Sequence, residues 1–482
     1  MTDPTEVAAR LRQLSAADLP VHGGRTLAYV YDAGLPEVDQ LGRDAVAAYA
    51  GTNGLDPTAF PSLLTMENEL VGFACDLVGA PAEAVGTVTS GGTESCMLAV
   101  QVARDARPEL ARPNLVIAST GHAAFRKAAH YFGLELRSIP VSPDFRADPV
   151  AMTAAVDDAT VLVVASAPSY AHGVVDPVPE IAAAAAERGV RCHVDACIGG
   201  WVLPYAVRLD RAVPPWTFDV EGVTSMSLDT HKYAYAPKGT SILLHRSAAL
   251  RKPQFFASAD WPGYTMLNST MQSTKSGGPL AGAWSVMQVI GDDGYQVLAE
   301  RAFEAVDRIV SAIEAQPGLR LATRPDSTLV VLETDTSCDP FTFCDEMAAR
   351  GWYVQPQLSY AGHGPTVHLS VSAATADHLD ELVDALAESV AAAVSAGPVQ
   401  VDQGVVAFIE ALDPASLSDE DFDNLLAASG LVGQSADGGL ELPTRMASVN
   451  AMLDVASPAM REALLIAFLD RLSRPVRPGT TP

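Results

Sequence analysis

Short apolar runs alternate with helix-length stretches through most of the chain, and this alternation constrains the fold more than any other feature. The runs Leu115-Val116-Ile117-Ala118, Val161-Leu162-Val163-Val164 and Ser241-Ile242-Leu243-Leu244 read as buried strands. Ala-rich helical stretches at 152–156 and 180–188 lie between them. Strand and helix in alternation predict a mostly parallel sheet, of a seven-stranded type, covered by helices on both faces. Ahead of it the spacing predicts a helix over 64–78, with Glu67, Glu69 and Asp76 outward between Leu70, Val71 and Phe73. The first sixty residues are loop-rich, punctuated by Gly23, Gly24, Gly51, Gly54, Pro57 and Pro61.

The pattern changes after a long helical region that opens near 277 and runs past 313. Leu329-Val330-Val331-Leu332, a helix around 343–350, a strand at 367–371 and a helix at 376–393 predict a smaller α+β unit. Gly397-Pro398 marks a boundary. Beyond it Val405, Val406, Phe408, Ile409 and Leu412 have helical spacing. So do Leu464, Leu465, Phe468, Leu469 and Leu472, with Ser457-Pro458 as cap and first turn. The expected division is an N-terminal segment (1–60), a large domain (61–300), a small α+β domain (301–397) and an acidic helical extension (398–482). Its last residues, from about 474, are expected to fray.

Charge narrows the functions. Lys plus Arg number 31 and Asp plus Glu 58, a net −27 that argues against nucleic acid and anionic membrane surfaces as partners. No window reaches the roughly 18 uninterrupted apolar residues of a membrane span. The start lacks the apolar core of a secretory signal. Cys75, Cys96, Cys192, Cys197, Cys338 and Cys344 form no C-x-x-C pair, so neither a disulfide framework nor structural zinc is supported. A reduced, cytoplasmic setting is expected.

Four short segments carry chemistry. In Ser227-Leu228-Asp229-Thr230-His231-Lys232 a strand-like run delivers a lysine. A lysine at a buried strand end is costly without a partner or a task, and one task is a Schiff base with an aldehyde cofactor. From this hexapeptide alone, a sheet-edge lysine reaching solvent is the more ordinary outcome. Asp195, in His193-Val194-Asp195-Ala196, falls at a strand's C-terminal end, where open α/β sheets bind ligands. Its carboxylate could pair with the pyridinium nitrogen of pyridoxal phosphate, or cap a following helix. Thr89-Ser90-Gly91-Gly92-Thr93-Glu94-Ser95 precedes a helix over 94–106, whose free amides would attract a phosphate; an ordinary capped start is the alternative. His122 follows the strand at 115–118, where an imidazole could stack on a cofactor ring and move protons. Each signal is modest. Their order (phosphate turn, stacking ring, carboxylate, lysine, all at predicted strand ends) is not an accidental pattern.

With these residues in view, the sequence resembles the sphingosine-1-phosphate lyases, a branch of the fold type I, group II pyridoxal-phosphate decarboxylase family. The likeness covers roughly 25–390 and is carried by TSGGTES (89–95), HAAFRKAAHYF (122–132), HGVVDP (172–177), HVDACIGGW (193–201), GVTSMSLDTHKYAYAPKG (222–239) and Asp260-Trp261. The resemblance implies pyridoxal 5'-phosphate as cofactor, with Lys232 as Schiff-base lysine, Asp195 on the pyridine nitrogen and His122 stacked on the ring. It implies phosphate contacts from Gly91, Gly92, Thr93 and His231, with Asp229 beside them. Thr274 stands where the family reaches the phosphate from the other subunit, which implies a homodimer with shared sites. Lys238 matches a lysine for the substrate's phosphate, and Tyr31 a tyrosine of the catalytic pocket. The activity implied is cleavage of the Cα–Cβ bond of a phosphorylated amino alcohol, bound to the cofactor as an imine, to an aldehyde and phosphoethanolamine. The alternatives are a decarboxylase or lyase of a small amino acid in a specialised biosynthetic pathway and, third, a non-catalytic cofactor-binding protein.

Departures from the family gather in segments expected near the substrate. Asp32 and Asp56 replace His or another non-acidic residue, and acidic groups there would repel a phosphate. Lys275 replaces an arginine, losing bidentate anion recognition. Ser169-Tyr170 replaces Gln-Phe, and Gly263, Tyr264 and Met266 alter the loop after Asp260-Trp261.

Overall fold

A computed structural model describes residues 3–428, 444–473 and 475. The segment expected to fray lies, apart from 475, outside the described residues. The large sheet contains β1 (Val85–Thr89), β2 (Asn114–Ala118), β3 (Glu135–Ile139), β4 (Thr160–Ser166), β5 (Arg191–Asp195), β6 (Val223–Asp229) and β7 (Ser241–His245). Their order across the sheet is β1-β7-β6-β5-β4-β2-β3. The neighbours among β2 to β6 are parallel; only β7 runs against β6 and β1. β2, β4 and β7 are buried along their whole lengths, which is why they read as unbroken apolar runs. The link 230–240 between β6 and β7 holds no crossover helix, so β7 must return antiparallel. That short return keeps Lys232 at the sheet's edge.

Helices Pro61–Leu77, Gly92–Asp105, Ala123–Phe132, Pro149–Ala154 and Val178–Glu187 pack around this sheet. The first buries Leu63, Met66, Leu70, Ala74 and Leu77, one turn apart, as its periodicity predicted. The long helical region spans Gly277–Ala315 but is broken at Gly291. There φ 61° and ψ 177° fall in a region open almost only to glycine.

β8 (Phe256–Ser258) and β9 (Met266–Asn268) pair as a hairpin. β10 (Leu319–Leu321), β11 (Leu329–Thr334), β12 (Gln355–Gln357) and β13 (Thr366–Ser370) form a second sheet in the order β10-β11-β13-β12. The chain divides into two compact units. One holds Met1–Val310, Thr323–Val331 and Leu369–Leu379; the other holds Ser311–Ala322, Leu332–His368 and Asp380–Pro482. Within the second, helices Gln403–Ala411, Asp419–Ala428, Ala447–Val455 and Pro458–Leu472 share a core of Ile409, Phe422, Leu425, Met452, Met460 and Leu464. Ser457 caps the last of these through Met460, with Pro458 in its first turn, as the sequence predicted. Among the described residues no helix is long and apolar enough to cross a membrane.

Candidate active site

Strand register gathers the polar residues. Ser166 at the end of β4 lies opposite Asp195 at the end of β5, and Asp195 opposite Ser227 of β6. Ser241, opening β7, lies between Thr89 and Asp229, the last residues of β1 and β6. A cavity of about 360 Å³ opens over this edge, lined among others by Gly91, Gly92, Thr93, His122, Asp195, Asp229, His231 and Lys232.

The helix Gly92–Asp105 starts at the cavity, with Gly91 at φ 153° and no side chain capping it. A Cβ on Gly92 would lie 2.6 Å from both Asp229 oxygens and 2.9 Å from Cys197 Sγ, so only glycine fits. The uncapped first turn, in the wall of the cavity, presents backbone amides of the kind that suit an anion. Glu94 holds the turn from below, accepting from the Ser90 amide at 2.6 Å and the Met271 amide at 2.8 Å. A buried row of hydroxyls, Thr89, Ser95 and Ser241, ties the helix to the sheet at 2.7 and 2.9 Å.

Lys232 Nζ sits 2.9 Å from Asp229 Oδ2. Burial works against the ammonium, but the Asp229 carboxylate and its hydrogen bond, together with Tyr31 and Cys197, outweigh it and hold the Lys232 pKa well above its ordinary value. Burial likewise works against the Asp229 carboxylate, yet the neighbouring Lys232 and His231 keep it below the usual carboxylate range. Asp229 Oδ1 is buried without a hydrogen-bond partner. His231 directs Nδ1 to the Thr240 carbonyl at 2.8 Å and Nε2 toward Asp229 at 3.6 Å; burial pulls its pKa down. Asp195 accepts from the Cys197 amide at 3.2 Å and the Ser227 hydroxyl at 3.4 Å. His122 is the N-cap of helix Ala123–Phe132, its Nδ1 accepting from the Ala124 amide at 3.2 Å. That bond puts the ring proton of the neutral imidazole on Nε2.

Two further predicted residues lie beside this group. Tyr31 packs edge-on against Tyr233, with ring centroids 5.0 Å apart. Burial raises its pKa, opposed by the Lys232 charge. Lys238 donates to the Tyr29 carbonyl at 2.9 Å and lies 5.3 Å from the Tyr31 ring centroid. Burial of its amine and the nearby Lys232 charge pull its pKa down to about 8.

The chain does not bring every expected residue to this edge. Thr274 follows β9 in an exposed loop, and its neighbours Ser273 and Lys275 line a different depression, of about 480 Å³, together with Asp56. Asp56 is taken up by Thr58, and Lys275 donates to the Val88 carbonyl at 2.6 Å. Asp32 is buried and accepts from the Gly23 and Gly34 amides at 2.6 and 2.9 Å, so it organises the N-terminal loop and does not face the cavity as expected. Of the departures from the family, Tyr170 does line the cavity. Cys96, Ser166 and Pro168 also line it and were missed. Cys96 and Ser166 sit in apolar surroundings, where a small residue reads as core.

The residues fit pyridoxal phosphate. The uncapped helix start suits a phosphate, Asp195 a ring nitrogen and Lys232 an aldehyde, while the unpartnered oxygen of Asp229 leaves a polar contact open. Sheet order and this edge together define a fold type I enzyme that depends on that cofactor. The chain belongs to the pyridoxal-dependent decarboxylase family, whose conserved domain it matches over residues 29–334. Residues 403–471 match a C-terminal domain of pyridoxal-dependent enzymes described as helix-turn-helix. The chain is 36% identical to the sphingosine-1-phosphate lyase of Arabidopsis thaliana over 75% of its own length and 67% of that protein's. It is 38% identical to the rice (Oryza sativa subsp. japonica) sphingosine-1-phosphate lyase over 64% of its own length and 59% of the rice protein's. A solved structure of a Burkholderia pseudomallei sphingosine-1-phosphate lyase superposes with a TM-score of 0.77 at 30% identity, covering 82% of this chain and 92% of that one.

Proposed function

We propose that the protein is a carbon–carbon lyase that cleaves the Cα–Cβ bond of a phosphorylated amino alcohol, releasing an aldehyde and phosphoethanolamine. The observation that carries this reading is Lys238. It is a second amine beside Lys232, held by backbone carbonyls at 2.9 and 3.4 Å and without a carboxylate partner among the described residues. An ammonium held in this way can receive the phosphate of a substrate. The similarity to sphingosine-1-phosphate lyases supports the same substrate class.

When bound, the cofactor supplies an electron sink for the bond that breaks. Lys232 would provide the amine for the cofactor's aldehyde. Asp195 would hold a proton on the ring nitrogen, and the turn 91–93 would anchor the phosphate. His122, which lines the cavity, and Tyr31, whose ring lies 5.3 Å from the Lys238 amine, would serve as proton carriers. Tyr31 stays protonated at neutral pH because burial raises its pKa. Thr274 acts across a homodimer, which accounts for its distance from the cavity of its own chain.

Incubating the protein with sphingosine 1-phosphate should release a long-chain aldehyde and phosphoethanolamine in equal amounts, and Lys232→Ala should remove both. Carbon dioxide release from a panel of amino acids, with no aldehyde from the phosphorylated substrate, would sink this reading in favour of decarboxylation.

A further inference from the structure

Three potential metal ligands converge at the floor of the cavity. Cys96, Asp195 and Cys197 are all buried, and one ligand atom of each lies within 4.8 Å of the others. All three line the cavity. They come from separate elements: the first helix after β1, the end of β5 and the turn that follows it. One hydroxyl stands among them. Ser227 Oγ lies 3.3 Å from Cys197 Sγ, 4.0 Å from Cys96 Sγ and 3.4 Å from Asp195 Oδ1. His193 Nε2 reaches the same hydroxyl at 3.2 Å.

We infer that the cofactor-free chain holds a thiophilic divalent cation of the zinc class on Cys96 Sγ, Cys197 Sγ and the Asp195 carboxylate. Two thiolates and a carboxylate are a zinc donor set, and tetrahedral bonds of about 2.3 Å to sulfur place two ligand atoms roughly 3.8 Å apart. The observed grouping, within 4.8 Å, reaches that spacing with side-chain shifts of at most about 1 Å. The open side toward the cavity leaves the fourth position to water or to Ser227. Binding releases the two thiol protons to solvent and changes no oxidation state. The site competes with the cofactor, because Asp195 cannot serve a cation and a ring nitrogen together. This last clause rests on the role proposed for Asp195; the cation site itself does not.

The test is a cadmium titration of the cofactor-free full-length protein, followed by the ultraviolet absorption of cadmium–thiolate bonds. One cadmium per chain is expected, displaced by zinc. Cys96→Ser and Cys197→Ser should each halve the absorption and weaken binding at least tenfold, while Cys75→Ser leaves both unchanged. Circular dichroism of each variant separates lost ligands from lost fold. Chain loaded with pyridoxal phosphate should take up no cadmium, and cadmium should slow cofactor capture until EDTA is added. Absence of stoichiometric binding, or binding that survives both serine substitutions, overturns the cation site. Equal affinity in the loaded protein overturns the competition. Cofactor capture by metal-free chain is read by its own absorption, so a failure of the cofactor reading shows separately.

Discussion

At the level of single residues, the ion pair of Lys232 and Asp229 sets how readily the proposed Schiff-base amine gives up its proton. The raised Lys232 pKa contributes stability below the amine's ordinary 10.5, lost as pH rises through the higher folded value. The depressed Asp229 pKa contributes stability above the carboxyl's ordinary 3.8, lost as pH falls through the lower folded value. The cofactor-free chain is therefore most stabilised by the pair between those limits. An aldehyde, however, needs the neutral amine, so cofactor capture should accelerate as pH rises through the alkaline range. Asp229→Asn removes the charge that keeps Lys232 protonated. Stopped-flow absorption should show faster capture at neutral pH and a profile shifted to lower pH, with a lower Tm for the cofactor-free variant. Lys238 gives the opposite sign. Its charge disappears as pH rises through about 8. KM for a phosphorylated substrate should then climb by up to about tenfold per pH unit above that point, and Lys238→Ala should flatten the climb. Strand ends and a glycine turn leave local patterns, so Lys232, Asp195, His122 and Gly92, which line one cavity, could be singled out from the sequence. It could not reveal Cys96 or Ser166, whose place at the cavity is set by cross-strand register and helix packing. It also put Asp32 near the substrate, whereas two backbone amides claim its carboxylate.

At the level of elements, periodicity was legible wherever one element buries one face. The strands at 115–118, 161–164 and 241–244 grew by one to three residues at their ends, and the helix at 64–78 began three residues earlier, at Pro61. What periodicity could not show was interruption and borrowed support. Gly291 splits a continuous helical pattern because its φ/ψ, not its neighbours, breaks the ladder. The helix Ala447–Val455 escaped notice for a related reason: no side chain of its own caps it. Asp345, a hundred residues away in sequence, accepts from the Met446 and Ala447 amides at 2.8 and 3.0 Å. It works as an N-cap supplied in trans, satisfying two donors that the local sequence leaves open. Asp345→Ala should cost roughly 1–2 kcal/mol of stability in the unit that contains it. Limited trypsin digestion should then cut at Arg445 sooner than in the parent chain, while cofactor absorption is unchanged. Equal digestion rates would refute the cap.

For the whole molecule, the strongest consequence concerns where a complete site comes from. Within the helix-turn-helix match at 403–471 the basic residues Arg445, Arg461 and Arg471 pair with Glu346, Asp454 and Asp423. The decisive surface is the loop after β9. Ser273 and Lys275, on either side of Thr274, line a depression separate from the cavity of Lys232, and Thr274 is not among the residues lining that cavity, so one chain alone supplies an anion site without Thr274. If a second copy supplies it, two inactive chains can rescue each other. Lys232→Ala lacks the amine, and Thr274→Glu sets a negative charge against the cofactor phosphate. In a mixed dimer one site carries both defects and the other carries neither. Equal amounts of the two variants, unfolded and refolded together or co-expressed, should recover about one quarter of the parent activity, since half the dimers are mixed and half their sites intact. Sites built within single chains would give no recovery at all, because every chain in the mixture carries one lesion. The measurement therefore separates the two architectures without knowledge of the natural substrate: borohydride reduction and mass spectrometry can count intact sites by cofactor fixed on Lys232 in Thr274→Glu chains.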